Sequence, residues 1–280
     1  MHPIVNEIRD SLRGIYPDSE SLALAKMLLV EVFGFSTLEL YGGKDKEISG
    51  KCRDVLDEMI RRLKKNEPIQ YIIGRETFGE LTFQVNPSVL IPRPETLELV
   101  RWIADDCRCM ASCRILDIGT GSGCIAVTLA KLVHGSEVEA WDISEEALSV
   151  ARTNAGRNDA RVLFRQKDVL DAMPEASRYD VIVSNPPYIA EKERAEMEAN
   201  VLHWEPSLAL FVSDDDPLVF YRKIAQLAQE MLTENGTLYF EINQAYGRET
   251  MAMLEVLGYT WVELRKDVWG NDRMIKARRV

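Results

Sequence analysis

An apolar run, Arg114-Ile115-Leu116-Asp117-Ile118, passes directly into Gly119-Thr120-Gly121-Ser122-Gly123 and then into a helical pattern that begins at Cys124 and runs to Val133. A short run that is apolar on both faces reads as a strand buried between two layers, and the helix after the glycine loop supplies one of those layers. The pattern then repeats. Residues 137–141 read as a strand ending at Asp142, with Ser144 capping a helix through Arg152. Residues 161–166 lead to Asp168, and 179–183 lead to Ser184-Asn185-Pro186-Pro187-Tyr188. A helix from Pro217 or Leu218 to Leu232, a strand over 236–242, a helix over 245–257 and strands over 259–264 and 273–277 complete the series. Strands alternating with helices imply a parallel sheet wrapped by helices. Ligands of such α/β sheets bind beyond the carboxyl ends of the strands.

The first part of the chain reads differently. Ile4, Ile8, Leu12 and Ile15 share one helical face; Asp18 or Ser19 suits the cap of a second helix, which Gly34 ends. Ser36-x-x-Glu39 has the form of a capping box. Ser49 suits the cap of a longer helix with Cys52, Val55, Leu56, Met59, Ile60 and Leu63 facing inward, and Arg61-Arg62-Leu63-Lys64-Lys65 reads as its solvated end. From Pro68 the pattern changes again. Two short strand patterns flank Gly79-Glu80 as a β-hairpin, and Pro94 opens a helix whose buried face is Leu97, Val100, Ile103 and Ala104. We expect a helical bundle over 1–67, a hairpin linker over 68–93 and an α/β domain over 94–280. The bundle carries no catalytic constellation.

Composition narrows the functions. A formal charge of −11 over 280 residues argues against coating nucleic acid, which needs a basic face. Five scattered cysteines suit reduced thiols. Cys107-x-Cys109-x3-Cys113 lacks a second ligand cluster, so we expect no metal. The first residues, with Glu7, Arg9 and Asp10, have no uninterrupted apolar core of the signal-peptide kind. Lys26, Glu31 and Lys131 break the longest apolar stretches, so we expect a cytoplasmic chain without a membrane span.

At Asn185-Pro186-Pro187-Tyr188 the two prolines fix φ and remove two backbone donors, which leaves carbonyls facing outward. Asn185 adds an acceptor and Tyr188 a flat aromatic wall, so the corner suits a planar group with N–H donors. A tight strand exit is the plainer reading. The glycine loop places N–H groups and a helix start beside a ligand. Its spacing, Gly-x-Gly-x-Gly, is one residue short of the dinucleotide fingerprint. Asp142 suits a ribose diol, which NAD and S-adenosylmethionine share. Arg93, between Pro92 and Pro94, is a stiffly held charge that either lines a site or only stiffens the segment.

Taken together, Asp117-Ile118-Gly119-Thr120-Gly121-Ser122-Gly123, the acids at 142 and 168 and the Asn-Pro-Pro-Tyr corner resemble the class I methyltransferases that act on amino or amide nitrogen. Pro68-Ile69-Gln70-Tyr71-Ile72-Ile73-Gly74, Ile91-Pro92-Arg93-Pro94-Glu95-Thr96 and Val183-Ser184-Asn185-Pro186-Pro187-Tyr188-Ile189 are similar to the bacterial release-factor glutamine methyltransferases, the PrmC or HemK family. The resemblance spans essentially the whole chain. It implies a class I methyltransferase fold, Rossmann-like, with a mostly parallel seven-stranded sheet and a small N-terminal helical bundle that recognises substrate. It implies S-adenosylmethionine as methyl donor, S-adenosylhomocysteine as product, and the glutamine of a Gly-Gly-Gln loop on class 1 peptide release factors as acceptor.

On that resemblance Gly119, Thr120, Gly121, Ser122 and Gly123 hold the methionine end of the cofactor. Asp142 takes the ribose hydroxyls, and Asp168 with Val169 borders the adenine. Asn185 and the Pro186 carbonyl accept the amide hydrogens of the substrate glutamine, with Pro187 beside them and Tyr188 packed on the amide plane. Asn185, Pro186 and Tyr188 are thus the expected catalytic residues. Glu241-Ile242-Asn243-Gln244 stands where the family more often has Glu-Ile-Gly, and Asp214-Asp215-Asp216-Pro217-Leu218 where Asp-Gly-Leu is usual. Asn tolerates left-handed φ, so the first departure is expected to be mild, whereas Pro217 alters its loop. The competing readings are an amino-methyltransferase for adenine in DNA or RNA, which would need base flipping and a basic track, and a non-catalytic binding module.

Overall fold

The computed structural model describes residues 1–42, 48–176 and 178–279. They form two compact units, one of Met1–Arg75 with Glu198–Trp204 and one of Glu76–Met197 with Glu205–Val280.

The first unit contains α1 (Pro3–Ser11), α2 (Asp18–Glu31), α3 (Thr37–Tyr41), α4 (Gly50–Leu63), α5 (Ile69–Ile73) and α9 (Ala199–Trp204). Ile4, Val5, Ile8, Leu12, Leu28, Leu29, Leu56, Ile60 and Leu63 build its core. Ser36 and Glu39 form the expected capping box. Other expectations are corrected. Ile15 lies beyond the end of α1 and is exposed. The cap of α2 is Pro17. Ser49 occupies the cap position of α4 without a side-chain bond, and Cys52 and Val55 face solvent, because a narrow stripe already fills that core. Arg62 is more than a solvated end: its guanidinium binds both oxygens of the buried Glu67, at 2.8 and 2.5 Å.

The second unit begins at Glu76, within the hairpin of β1 (Arg75–Phe78) and β2 (Leu81–Gln84), and continues with α6 (Pro94–Cys107). The alternating part follows as β3 (Cys113–Ile118), α7 (Cys124–Leu132), β4 (Ser136–Asp142), α8 (Glu145–Arg157), β5 (Val162–Gln166) and β6 (Tyr179–Ser184). A segment without sequence periodicity then forms β7 (Ile189–Ala190), a 3-10 turn (Glu191–Glu196), α10 (Ser207–Leu210) and β8 (Phe211–Val212). The unit closes with α11 (Val219–Met231), β9 (Leu232–Glu241), α12 (Gly247–Val256), β10 (Thr260–Lys266) and β11 (Asp272–Arg278).

Seven strands pair in the order β10-β11-β9-β6-β3-β4-β5. β9, β6, β3, β4 and β5 run parallel, and the final β10–β11 pair joins β9 antiparallel. One apolar layer packs α6 and α7 on a face of the sheet, through Leu99, Ile103, Ile125 and Leu129. The other packs α11 and α12 on the opposite face, through Tyr221, Ile224, Ala228 and Leu254. The hairpin expected as a linker packs into the first of these layers through Phe78 and Phe83, whose rings meet edge to face. Among the described residues no helix is long and apolar enough to cross a membrane.

Candidate active site

The carboxyl ends of β3, β4 and β6 open onto a cavity of about 480 Å³, within the usual range for a small-molecule site. At the end of β3 the chain turns through Gly119 and Gly121, at φ 76° and 54°, and Gly123 caps α7 at φ 81°. A side chain at Gly123 would meet the Ala151 Cβ at 3.1 Å, so both the dihedral and the helix contact demand glycine there. Asp117 is fully buried beneath the loop. Its Oδ2 accepts from Thr120 Oγ1 at 2.6 Å, while Oδ1 has no partner among the described residues. Burial pushes its carboxyl up to about 7, against the pull of Thr120.

At the end of β4, Asp142 closes the other side of the loop. Its Oδ2 accepts from Gly121 N at 2.8 Å and its Oδ1 from Ser144 N at 3.0 Å. Burial raises its pKa and these backbone bonds oppose the rise. Each oxygen keeps a second lone pair, so the carboxylate can still receive a diol. Past β5, Asp168 Oδ1 accepts from Leu170 N at 2.9 Å, and Asp168 and Val169 both line the cavity. Lys167 Nζ sits 3.9 Å from the centre of the Trp141 ring, which lines the same wall.

Ser184 ends β6 with its Oγ donating to Ile118 O at 2.7 Å, which ties the acceptor corner to the strand that carries the glycine loop. Asn185, Pro186 and Pro187 follow and line the cavity. Asn185 Nδ2 donates to Thr96 Oγ1 at 3.4 Å, and Thr96 Oγ1 donates to Glu241 Oε2 at 2.6 Å. Tyr188 OH donates to Glu241 Oε1 at 3.4 Å. Burial raises the Glu241 pKa, while Thr96, Arg273 and Tyr188 draw it down. Arg93 lines the cavity and pairs with Glu205 at 2.5 Å. The other Glu205 oxygen accepts from Ile91 N at 3.2 Å.

Gly119, Thr120, Gly121, Ser122, Asp142, Asp168, Val169, Asn185, Pro186 and Pro187 therefore border one space, and two of the expected residues do not. Gly123 acts from behind as the start of α7, and the Tyr188 ring packs against the core beside α11 and α12. Asn243 also departs from expectation. It has φ −67°, and its Nδ2 donates to Tyr188 O at 3.1 Å and to Glu193, so it buttresses the corner with its side chain. Thr96, Glu241 and Glu205 were not read as site residues. Thr96 and Glu241 lie far from Asn185 in the chain, and only β9 lying beside β6 and the packing of α6 bring them near, whereas Glu205, between α9 and α10, meets Arg93 and Ile91.

These residues fit S-adenosylmethionine. Four of the five loop N–H groups are spent within the fold, Gly119 and Thr120 on Trp141 O, Gly121 on Asp142 and Gly123 on Thr120 O, so what the loop brings to the cavity is a backbone free of side chains at Gly119 and Gly121 and the start of α7. Asp142 offers free lone pairs, and the cavity is of suitable size. Residues 4–74 match the family described as PrmC N-terminal domain, and residues 99–204 match the Methyltransferase small domain. The chain is 51% identical over 283 residues to the release factor glutamine methyltransferase of Bacteroides thetaiotaomicron, with 100% of each chain covered. It is 48% identical over 270 residues to that of Flavobacterium psychrophilum, with 95% of each covered. A crystal structure of a methyltransferase from Pyrococcus furiosus superposes with TM-score 0.54 at 19% identity, covering 80% of this chain and 98% of that one, a likeness of fold. The class I methyltransferase fold, the donor loop and full-length similarity to these relatives agree: the chain belongs to the release factor glutamine methyltransferase family.

Proposed function

We propose that this chain transfers a methyl group from S-adenosylmethionine to the side-chain amide nitrogen of the glutamine in the Gly-Gly-Gln motif of class 1 peptide chain release factors. The observation that carries the reading is the Asn185 corner, which opens on the same cavity as the glycine loop. Asn185 Oδ1 and the Pro186 carbonyl make no hydrogen bond among the described residues, so two acceptors are available to one –NH₂ group. An amide nitrogen shares its lone pair with its carbonyl and is a poor nucleophile. Two acceptors polarise it and aim it.

When bound, the cofactor supplies an electrophilic methyl on a sulfonium, with neutral S-adenosylhomocysteine left behind. Residues 119–123 hold its methionine end, Asp142 its ribose hydroxyls, and Asp168 with Val169 its adenine. Orientation is then the main contribution of the protein, and well-aligned reactants gain about 7–11 kcal/mol. The buried walls, among them Ile118, Ile125 and Trp141, exclude water from a charged donor whose charge disappears in transfer.

The helical unit lacks chemistry and serves to hold the protein substrate. This reading places the enzyme in the cytoplasm with no need for direct nucleic acid contact. The test is transfer of labelled methyl to release factor, to release factor with the target glutamine replaced, and to DNA. Label in the first alone is expected, and label in DNA but not in release factor would overturn the reading. Hydrogen exchange on the full chain with release factor bound should show protection in α1–α5; exchange unchanged there would remove the role given to the helical unit.

A further inference from the structure

A carboxamide has two ends of nearly equal shape and opposite function. If Asn185 turned its –NH₂ group toward the cavity, it would face the –NH₂ of a substrate amide donor to donor. Something must fix the flip. Glu241, when ionised, can only accept, and Thr96 has a single hydroxyl proton. That proton is committed to Glu241 Oε2 at 2.6 Å, so Thr96 Oγ1 has only lone pairs to offer Asn185. Asn185 must then bring its Nδ2, as observed at 3.4 Å. Tyr188 OH occupies the other Glu241 oxygen, and both Glu241 and Thr96 are almost wholly buried, so water does not scramble the donors.

We propose that Thr96 and Glu241 are positioning residues that dictate which end of the Asn185 carboxamide faces the reacting nitrogen. The direction of one hydroxyl proton sets the polarity of the acceptor corner. Tyr188 belongs to the same arrangement, as the group that holds the second carboxylate oxygen. The inference rests on the reading that Asn185 receives the glutamine amide, and it adds two residues that act through Asn185, of which Thr96 also borders the cavity and Glu241 lies behind it.

The test compares Thr96→Val, Thr96→Ser and Glu241→Gln in the full chain. Thr96→Val removes the hydroxyl at similar volume, and Thr96→Ser keeps it. Turnover with release factor should fall about 10²-fold in Thr96→Val, the loss expected when one preorganised hydrogen-bonding partner is removed from a reacting centre. KM for release factor and the Kd of S-adenosylhomocysteine should stay within about three-fold, because uniform binding is untouched. Thr96→Ser should restore turnover. Glu241→Gln frees the Thr96 proton to point either way and should also lower kcat, which keeps the test available if Thr96→Val does not fold. Turnover unchanged in either variant, or lost as fully in Thr96→Ser as in Thr96→Val, would overturn the proposal.

A second readout does not depend on methyl transfer. The side-chain amide signals of Asn185, assigned by their loss in Asn185→Asp, should include one N–H proton shifted downfield by its bond to Thr96 Oγ1 in the wild type and in Thr96→Ser. In Thr96→Val that proton should move upfield to the position of an unbonded amide. A wild type with the downfield proton that transfers no methyl to release factor would remove the proposed substrate and leave the orientation standing. Signals unchanged in Thr96→Val would remove the orientation itself.

Discussion

The carboxamide of Asn154, on α8, pairs with the backbone of Gln84, on β2, in both directions. Oδ1 accepts from Gln84 N at 2.6 Å and Nδ2 donates to Gln84 O at 3.0 Å. The same Nδ2 donates to Ser122 O at 2.9 Å, so one fully buried side chain ties the hairpin to the glycine loop. Asn154→Ala should destabilise the second unit by about 2–3 kcal/mol, from three bonds at about 1 kcal/mol each. Cofactor affinity should fall with it. Urea unfolding and calorimetric binding of S-adenosylhomocysteine measure the two; a loss of stability with affinity intact would mean that the loop does not depend on this clasp.

Asn185→Ala should behave in the opposite way. The side chain borders the cavity and its Oδ1 supports no other part of the fold. Turnover should fall by at least about 10²-fold while cofactor affinity stays within several-fold. Equal losses in both would identify the corner as structural.

Arg93 and Glu205 should show strong coupling. The Glu205 side chain is 1% exposed and the Arg93 side chain 34%, so the carboxylate depends on the guanidinium and on Ile91 N for compensation. Arg93→Met should cost about 1–3 kcal/mol, less than for a fully buried pair because the arginine is partly in water. The same change in a Glu205→Gln background should cost less, since no buried charge is left alone. Midpoints of urea unfolding for the four chains decide it, and equal costs in both backgrounds would dismiss the coupling.

Asp117 makes a prediction about pH. Its folded pKa is raised to about 7 by burial, above the ordinary value of 3.8. The protonated form is therefore favoured in the folded chain. The stability tied to that proton is fully present below about pH 4 and is lost as pH rises through 7. Asp117→Asn mimics the neutral form and can still accept from Thr120. The stability of Asp117→Asn relative to wild type should grow steadily between pH 4 and 7 and level off above, which denaturant unfolding at a series of pH values measures. A pH-independent difference would show that Asp117 ionises normally.

How much of this was legible in the sequence follows from how each part is specified. The parallel strands are written as local apolar runs, so β3, β4, β5 and β6 fall within about a residue of expectation, as do the loop at 119–123 and the corner at 185–188. The apolar pattern starts at Gly236, whereas β9 begins at Leu232, because the strand runs through Asn235 at φ 65° with a register shift against β6 that no apolar period marks. The segment after Tyr188 gave no signal. Its charged 3-10 turn and two-residue strands are held by particular bonds, such as Asn243 to Glu193, rather than by an apolar stripe. Thr96 and Glu241 were visible as letters and not as partners. Their meeting depends on the order of strands in the sheet, which no local pattern encodes.

Ile118 and Ser184 occupy matched positions on the adjacent strands β3 and β6, and Ser184 Oγ closes on Ile118 O. The donor loop begins one residue after the first, and the acceptor corner one residue after the second. Neighbouring strands sit about 4.8 Å apart, a spacing that backbone hydrogen bonding sets and side chains do not. In the reaction proposed above, the sheet acts as a ruler between its two halves. Substitutions in the surrounding loops can change what enters and how it is gripped, but the gauge between methyl source and nitrogen is the same whatever the guest, because it is a property of the polypeptide backbone.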